Sequence, residues 1–460
     1  MLMLQLNAKE ALTRNPWEWW KLFAASYTEC VESLVSPPRP KYLTTQLGQI
    51  REDIRFASHL ASPSSERAVR NECIVREDLR LQNARNEWIE CSFWTTTDES
   101  DRPCIVYVHG ISSSRLEALY IRHIVLNAGF SFFAFDCAGS GISDGNYISY
   151  GYNEKNDLRM VVEYLYCIKL IPRIGIWGRC MGGASTLMFL HEATKFRFFT
   201  VHVKASAFAT LLLYYCHATK RLLCPTAMLT RSCSTSLISW NAQLERALIK
   251  RKKNFRPITD EMLEIYSING EDVKGQEPST VRHAAKKFTK TPNSTIVIRG
   301  IQLLSKLEAH TGWSVHVEHE NSFIFAIALD SIYTDLSRML VDMLKEVLKS
   351  ANKRSLRFPP GTNTAASKII SHSISKIAGI PVGDVKPIHA LEKVHIPCVF
   401  VHCSEVDFVR PEYTIQMFEK YNSKHKTCLP FDGSHHQNRP QYILDQVCSH
   451  FQTQFAKSVV

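Results

Sequence analysis

A chain of 460 residues, 45% hydrophobic and 22% charged, has the composition of a globular protein of two to three domains at roughly 100–200 residues each. That excludes a mostly disordered, collagen-like or coiled-coil chain. The net charge of +11 is local, because Arg197–Glu320 holds 18 basic and 10 acidic residues and so carries +8 of it; a nucleic-acid footprint over the whole chain is therefore excluded.

No apolar run approaches the ~18 residues that span a bilayer. The N-terminus reaches Lys9 and Glu10 too early for a signal-peptide core. The 14 cysteines are scattered, without CxxC pairs. The expectation is a cytoplasmic protein in a reducing compartment, with free thiols, no metal site and no cofactor. Nothing indicates membrane association, and the oligomeric state is not readable.

The first 65 residues read as a helical arm. Asn15-Pro16-Trp17 opens a helix with proline in its first turn, and Ser36-Pro37-Pro38-Arg39-Pro40 ends it. The three tryptophans at 17, 19 and 20 fit a helix docked on a core better than a membrane foot, since no basic cluster backs them. From about Glu72 the period changes. Cys73–Leu81 and Trp88–Trp94 alternate apolar and polar, which predicts a hairpin.

Short buried runs then recur with helical segments between them. They are Cys104–Val108, Phe130–Phe135, Ile174–Trp177, Phe323–Leu329, Cys398–Val401 and Lys426–Leu429. That alternation predicts a mostly parallel α/β sheet. The expected units are the arm 1–65, a first half 66–196, an insertion 197–320 and a second half 321–460. The insertion is irregular. It holds a Glu-containing helical stretch at Asp260–Tyr266 and a strand candidate at Ser294–Ile298. It is an inserted subdomain, a disordered insertion, or sequence foreign to the fold, being too long for an ordinary loop.

Gly178-Arg179-Cys180-Met181-Gly182 follows one predicted strand and precedes a helix, Gly183–Leu190. A glycine on each side of a nucleophile, on a sharp strand-to-helix turn, is the nucleophile elbow, here with Cys in place of Ser. The helix N-terminus favours negative charge, which predicts a stabilised thiolate. His109-Gly110 directly follows the strand Cys104–Val108. The loop there would supply one backbone N–H to an oxyanion, from Ile111 or Ser112, and Met181 the other. The Gly-rich Phe135–Gly145 reads as a structural turn under the site's rim rather than a phosphate cradle. His316 and His319 lack further ligands and read as a solvated segment.

These motifs resemble those of the α/β-hydrolases, in the serine aminopeptidase (S33)-like and Bem46-like branch. His109–Ala118 resembles that branch's HGNSSSRLEA, Phe133–Gly145 its FAFDFSGSGLSDG, Tyr150–Leu158 its LGYYEKDDL and Ile176–Gly182 its GLWGRSMG. Leu329-Asp330-Ser331 resembles LDS, and Asp432–Pro440 resembles EGDHNSPRP. The resemblance covers roughly 66–196 and 321–455. It implies a hydrolase with a catalytic triad, Cys180 as nucleophile and His435 as base, while His436 falls where the family has Asn.

The family's acid maps onto Val406. Asp407, one residue later, is the expected acid, with Glu405 and Asp330 as alternatives. The expected activity is hydrolysis of an ester, thioester or peptide-like amide in a small or acylated substrate. The alternative is a catalytically weakened α/β-hydrolase that acts as a binding protein.

Overall fold

The computed structural model describes residues 27–29, 31–57, 69–96, 102–169, 171–193, 196–204, 263–268, 271–272, 295–303, 315–316, 323–343, 362–405 and 409–459. They divide into two compact units. One comprises Met1–Val162, Pro172–His191 and Ile324–Val460. The other comprises Glu163–Ile171 and Glu192–Phe323.

The first unit holds a nine-stranded sheet. Its strands are β1 (Arg51–Ala57), β2 (Val69–Gln82), β3 (Trp88–Thr96), β4 (Cys104–Val108), β5 (Ser131–Phe135), β6 (Ile174–Arg179), β12 (Ile324–Asp330), β13 (Cys398–Cys403) and β14 (Lys426–Phe431), in the order β1-β2-β3-β5-β4-β6-β12-β13-β14. The predicted hairpin is β2–β3, antiparallel, with Gln82 opposite Trp88. β3 also pairs antiparallel with β5. From β5 to β14 every pairing is parallel. This is a mostly parallel open sheet flanked by helices, with the strand order of the α/β-hydrolase fold.

The apolar runs become strands because both faces of the parallel part are covered. β4, β5, β6 and β12 are buried at every position, which only helices on both sides can satisfy. On one face, Ile105, Tyr107, Phe132, Trp177 and Phe325 pack against the helices Leu119–Asn127 and Gln441–Val459. The chain passes from β4 to its neighbour β5, then back across β4 to β6. Such a reversal opens a crevice at the carboxyl ends of the two central strands, where ligands bind in open α/β sheets.

Two expectations are corrected. Within the arm predicted over 1–65, the described residues 27–29 and 31–35 are helical, but Arg51–Ala57 is the edge strand β1, paired antiparallel with β2. Ile54 and Phe56 alternate there with charged residues, a strand period. Asp260–Tyr266, expected helical, contributes β8 (Leu263–Ile268). Its apolar residues also recur every second position, and the glutamates misled. The first turns of the predicted N-terminal helix lie outside the described residues.

The second unit carries a sheet of its own. It is formed by β7 (Phe196–Lys204), β8, β9 (Glu271–Asp272), β10 (Thr295–Leu303) and β11 (Val315–His316), in the order β11-β7-β10-β8-β9 and antiparallel throughout. β10 contains the strand candidate Ser294–Ile298 apart from Ser294. Although 197–320 intervenes in sequence, β12 pairs directly with β6. No helix among the described residues is long and apolar enough to cross a membrane.

The C-terminal helix is fastened by aromatic rings. Phe451 lies 6.1 Å from Phe325, 6.3 Å from Trp177 and 6.4 Å from Phe130, centroid to centroid. Phe451 is fully buried, whereas Phe455 on the next turn is half-buried. Phe451→Ala is expected to cost about 3–5 kcal/mol in urea unfolding, and Phe455→Ala clearly less. A loss below about 1 kcal/mol at Phe451, the size of an ordinary surface change, would show that this helix is not packed as described.

Candidate active site

A single residue separates β6 from the helix Met181–Ala193, and it is Cys180. Its φ of 49° is a left-handed backbone that a side-chain-bearing residue rarely adopts. Strain of this kind costs on the order of 1–3 kcal/mol and persists only where the surroundings enforce it. Here they do. The Cys180 N–H donates to the Asp330 carbonyl at the end of β12 (2.7 Å), and its carbonyl accepts from Ala184 N–H (3.0 Å). The flanking glycines are steric requirements. A Cβ on Gly178 would lie 2.5 Å from the Gly182 carbonyl oxygen, and one on Gly182 would lie 2.1 Å from that of Val108.

The loop after β4 meets this turn. His109 is fully buried. Its Nε2 accepts the Cys137 N–H at 3.0 Å, so the ring proton sits on Nδ1 and is donated to the Gly110 carbonyl at 2.8 Å. One imidazole thereby ties the ends of β4 and β5 together. A Cβ on Gly110 would lie 3.6 Å from that of Cys180, so the loop that leads to Ile111 runs against the elbow. Ser112, the other donor candidate, is exposed and has a φ of 57°. The Gly-rich turn after β5 folds around the Asp136 carboxylate, which accepts from Arg115 N–H, Tyr42 Oη and Ile142 N–H.

His435 and His436 part company. His435 is buried and His436 exposed. The His435 loop is held by two buried arginines. Arg179, beside Cys180, donates from Nη2 to the carbonyls of His435 (2.6 Å) and Gln437 (3.2 Å), and from Nη1 to Glu117. Arg439 donates to the same two carbonyls and forms a bidentate pair with Asp330, at 2.7 and 2.9 Å. Asp330 therefore has both carboxylate oxygens on Arg439, and Ser331 Oγ donates to one of them. It has the geometry of a loop anchor. Glu405 is exposed. Asp407 and Val406 lie outside the described residues.

Sequence reasoning did not single out Glu117, Arg179 or Arg439 as site residues. All three stand inside the motif runs. For Arg179 the signal was a charge in a stretch otherwise made of small and apolar residues, whereas Arg439 stands in a polar run that gives none.

The electrostatics revise one expectation. Burial pushes the Cys180 thiol up to about 12, and the N–H groups of Met181 and Ile111 and the Arg179 charge only partly oppose it. Desolvation outweighs the helix N-terminus, so Cys180 rests as a thiol and not as the expected thiolate. Burial, with Arg179 and Arg439 adding to it, pushes His435 down to about 3. The imidazole is therefore neutral at rest. Asp330 holds its charge, its carboxyl lowered by Arg439 and Arg179 in spite of burial.

No protein-family model matches the chain. The uncharacterized protein YqkD of Bacillus subtilis (strain 168) is 32% identical over 122 residues, which are 26% of this chain and 40% of that protein. The match thus spans less than half of the relative's length. Among solved structures, the Pyrococcus furiosus esterase Pf2001 is similar at a TM-score of 0.40, with 11% identity over 83% of this chain and 92% of that one. The esterase EaEST of Exiguobacterium antarcticum gives 0.38, with 12% identity over 84% and 100%. The α/β hydrolase GrgF of Penicillium sp. sh18 gives 0.40, with 11% identity over 83% and 99%.

A protonated, buried thiol predicts a definite pH profile. Carbamidomethylation of Cys180 by iodoacetamide, mapped by mass spectrometry, should rise about tenfold per pH unit from pH 6 to 9.5, following the thiolate fraction. A plateau reached by pH 7 would reveal a preformed thiolate and contradict this assignment.

Proposed function

We propose that the chain is an acyl hydrolase of the S33-like and Bem46-like branch, cleaving an ester, thioester or peptide-like amide through Cys180. The sulfur attacks the acyl carbon while His435 takes the thiol proton. The N–H groups of Ile111 and Met181 hold the oxyanion. The leaving group departs with that proton, and water, activated by His435, releases the acyl group. Thiol and imidazole both start neutral, so proton transfer accompanies attack, as in a serine enzyme. The reaction needs no cofactor.

The observation that carries this reading is the strained backbone of Cys180, at a φ of 49° between β6 and the helix Met181–Ala193, with glycines on either side that leave no room for a Cβ. A packing cysteine has no use for that strain. Asp407 is the proposed acid. Two backbone bonds support it by knitting the β13 loop to the His435 loop: Ser404 N–H to the Phe431 carbonyl (2.9 Å) and Glu405 N–H to the Gly433 carbonyl (3.2 Å). Glu405, the last described residue before Val406 and Asp407 in sequence, thus lies beside the His435 loop.

The second reading is a binding protein that keeps the crevice without the chemistry. Val406 at the family's acid position favours it, and so does a nucleophile with 0% exposure and an unactivated thiol.

Turnover of p-nitrophenyl esters and acyl thioesters separates the two. Cys180→Ala and His435→Ala are expected to lower kcat by about 10³–10⁴-fold, and Asp407→Asn by about 10²–10⁴-fold with KM little changed. Full activity in Cys180→Ala would overturn the hydrolase reading. Absence of turnover in the wild-type protein with every acyl donor, together with saturable binding of one of them, would establish the binding protein instead.

A further inference from the structure

Glu117 is bonded at both of its carboxylate oxygens. Oε2 accepts the Gly110 N–H at 3.0 Å. Oε1 accepts from Arg179 Nη1. The pair is shielded, with side-chain exposures of 13% for Glu117 and 6% for Arg179, so solvent does not cancel it as it cancels surface ion pairs.

Its place in the chain gives the pair a task. Gly110 immediately precedes Ile111. Turning the Gly110 N–H into Glu117 fixes the peptide ahead of Ile111, at a point where a Cβ on Gly110 would lie 3.6 Å from that of Cys180. On the other side, Arg179 directly precedes Cys180 and grips the His435 carbonyl. One carboxylate therefore connects the loop of the first oxyanion donor to the residue beside the nucleophile, and through it to the loop of the base. His109 holds the same loop from the β5 side, through its bonds to Gly110 and Cys137.

We propose that Glu117 is a positioning residue for acyl transfer: by holding Gly110 N–H against Arg179, it sets the Ile111 N–H where the substrate's carbonyl oxygen becomes an oxyanion. This rests on the acyl-hydrolase reading above. Glu117→Ala leaves the Gly110 N–H and one edge of Arg179 without their acceptor. Glu117→Gln keeps a neutral acceptor for Gly110 and loses the charge opposite Arg179.

The test compares two reactions of one sulfur. In acetylation by p-nitrophenyl acetate the Cys180 Sγ–acetyl bond forms, the bond to p-nitrophenolate breaks and the thiol proton passes to His435. An oxyanion develops on the way. Alkylation by iodoacetamide displaces iodide at a saturated carbon and develops none. Both are followed on the full chain by stopped intact-mass spectrometry at pH 9.

For acetylation, Glu117→Ala is expected to lower the rate constant about 10²-fold, the scale of one lost oxyanion donor. Glu117→Gln is expected to lower it about three- to tenfold, the half-saturating ester concentration staying within about twofold. Alkylation should be unchanged or faster in both variants, because the Glu117 charge raises the thiol pKa.

Acetylation at the wild-type rate in Glu117→Gln or Glu117→Ala overturns the proposal alone. So does alkylation that falls in step with acetylation, since that marks a general disturbance of the elbow. If Glu117→Ala does not fold, Glu117→Gln decides by the same two rates. A wild-type protein that alkylates at Cys180 but never acetylates overturns the hydrolase reading, and this proposal with it.

Discussion

Two buried guanidinium groups grip the same pair of carbonyls, those of His435 and Gln437, and the rest of the site is arranged around them. Arg179 comes from the end of β6 and Arg439 from the far side of the histidine loop. Neither charge could stay buried alone. Each is balanced by one carboxylate, Glu117 for the first and Asp330 for the second. Asp330 also offers its backbone carbonyl to the Cys180 N–H, so one residue fixes the elbow with its main chain and the base's loop with its side chain. Removing one partner of such a pair strands the other, at a cost of about 3–5 kcal/mol. Position of the loop, rather than net stability, is what the arrangement secures.

The same two charges set the chemistry available. Burial disfavours an imidazolium at His435, and each of these charges disfavours it further. A Cys–His pair can work as a preformed thiolate–imidazolium couple or as two neutral partners that exchange a proton during attack. Burial of Cys180 and the guanidiniums around His435 select the second. A neutral pair relies more on an orienting carboxylate, because the imidazolium then forms only in the transition state and needs stabilising there. The carboxylates found near His435 among the described residues are committed elsewhere, Asp330 to Arg439 and Glu117 to Gly110 and Arg179.

Much of the fold was legible because its strands are buried on both faces. Cys104–Val108 is apolar at every position, and both its ends coincide with those of β4. The elbow was legible because the glycines at 178 and 182 leave no room for a Cβ. β1 and β8 were missed, since short strands with charged alternate positions look like helix faces when their partners are unknown. The charge network was hidden for a different reason. Arg179 and Glu117 are neighbours only after folding, and Asp330 and Arg439 are separated by two further strands. The thiol's protonation was misjudged because the helix N-terminus is visible in sequence, whereas the desolvation that outweighs it depends on packing.

The most direct measurement is the proton titration of His435 itself. Its ring Cε1–H shift can be followed by NMR in selectively labelled protein and assigned with His435→Asn. The account predicts a neutral ring with no midpoint from pH 8 down to about 4, in keeping with a pKa pushed down to about 3. A midpoint near 6.5, the ordinary histidine value, would contradict it: burial and the two guanidiniums would then not hold His435 neutral, and the proposed neutral-pair mechanism would fall.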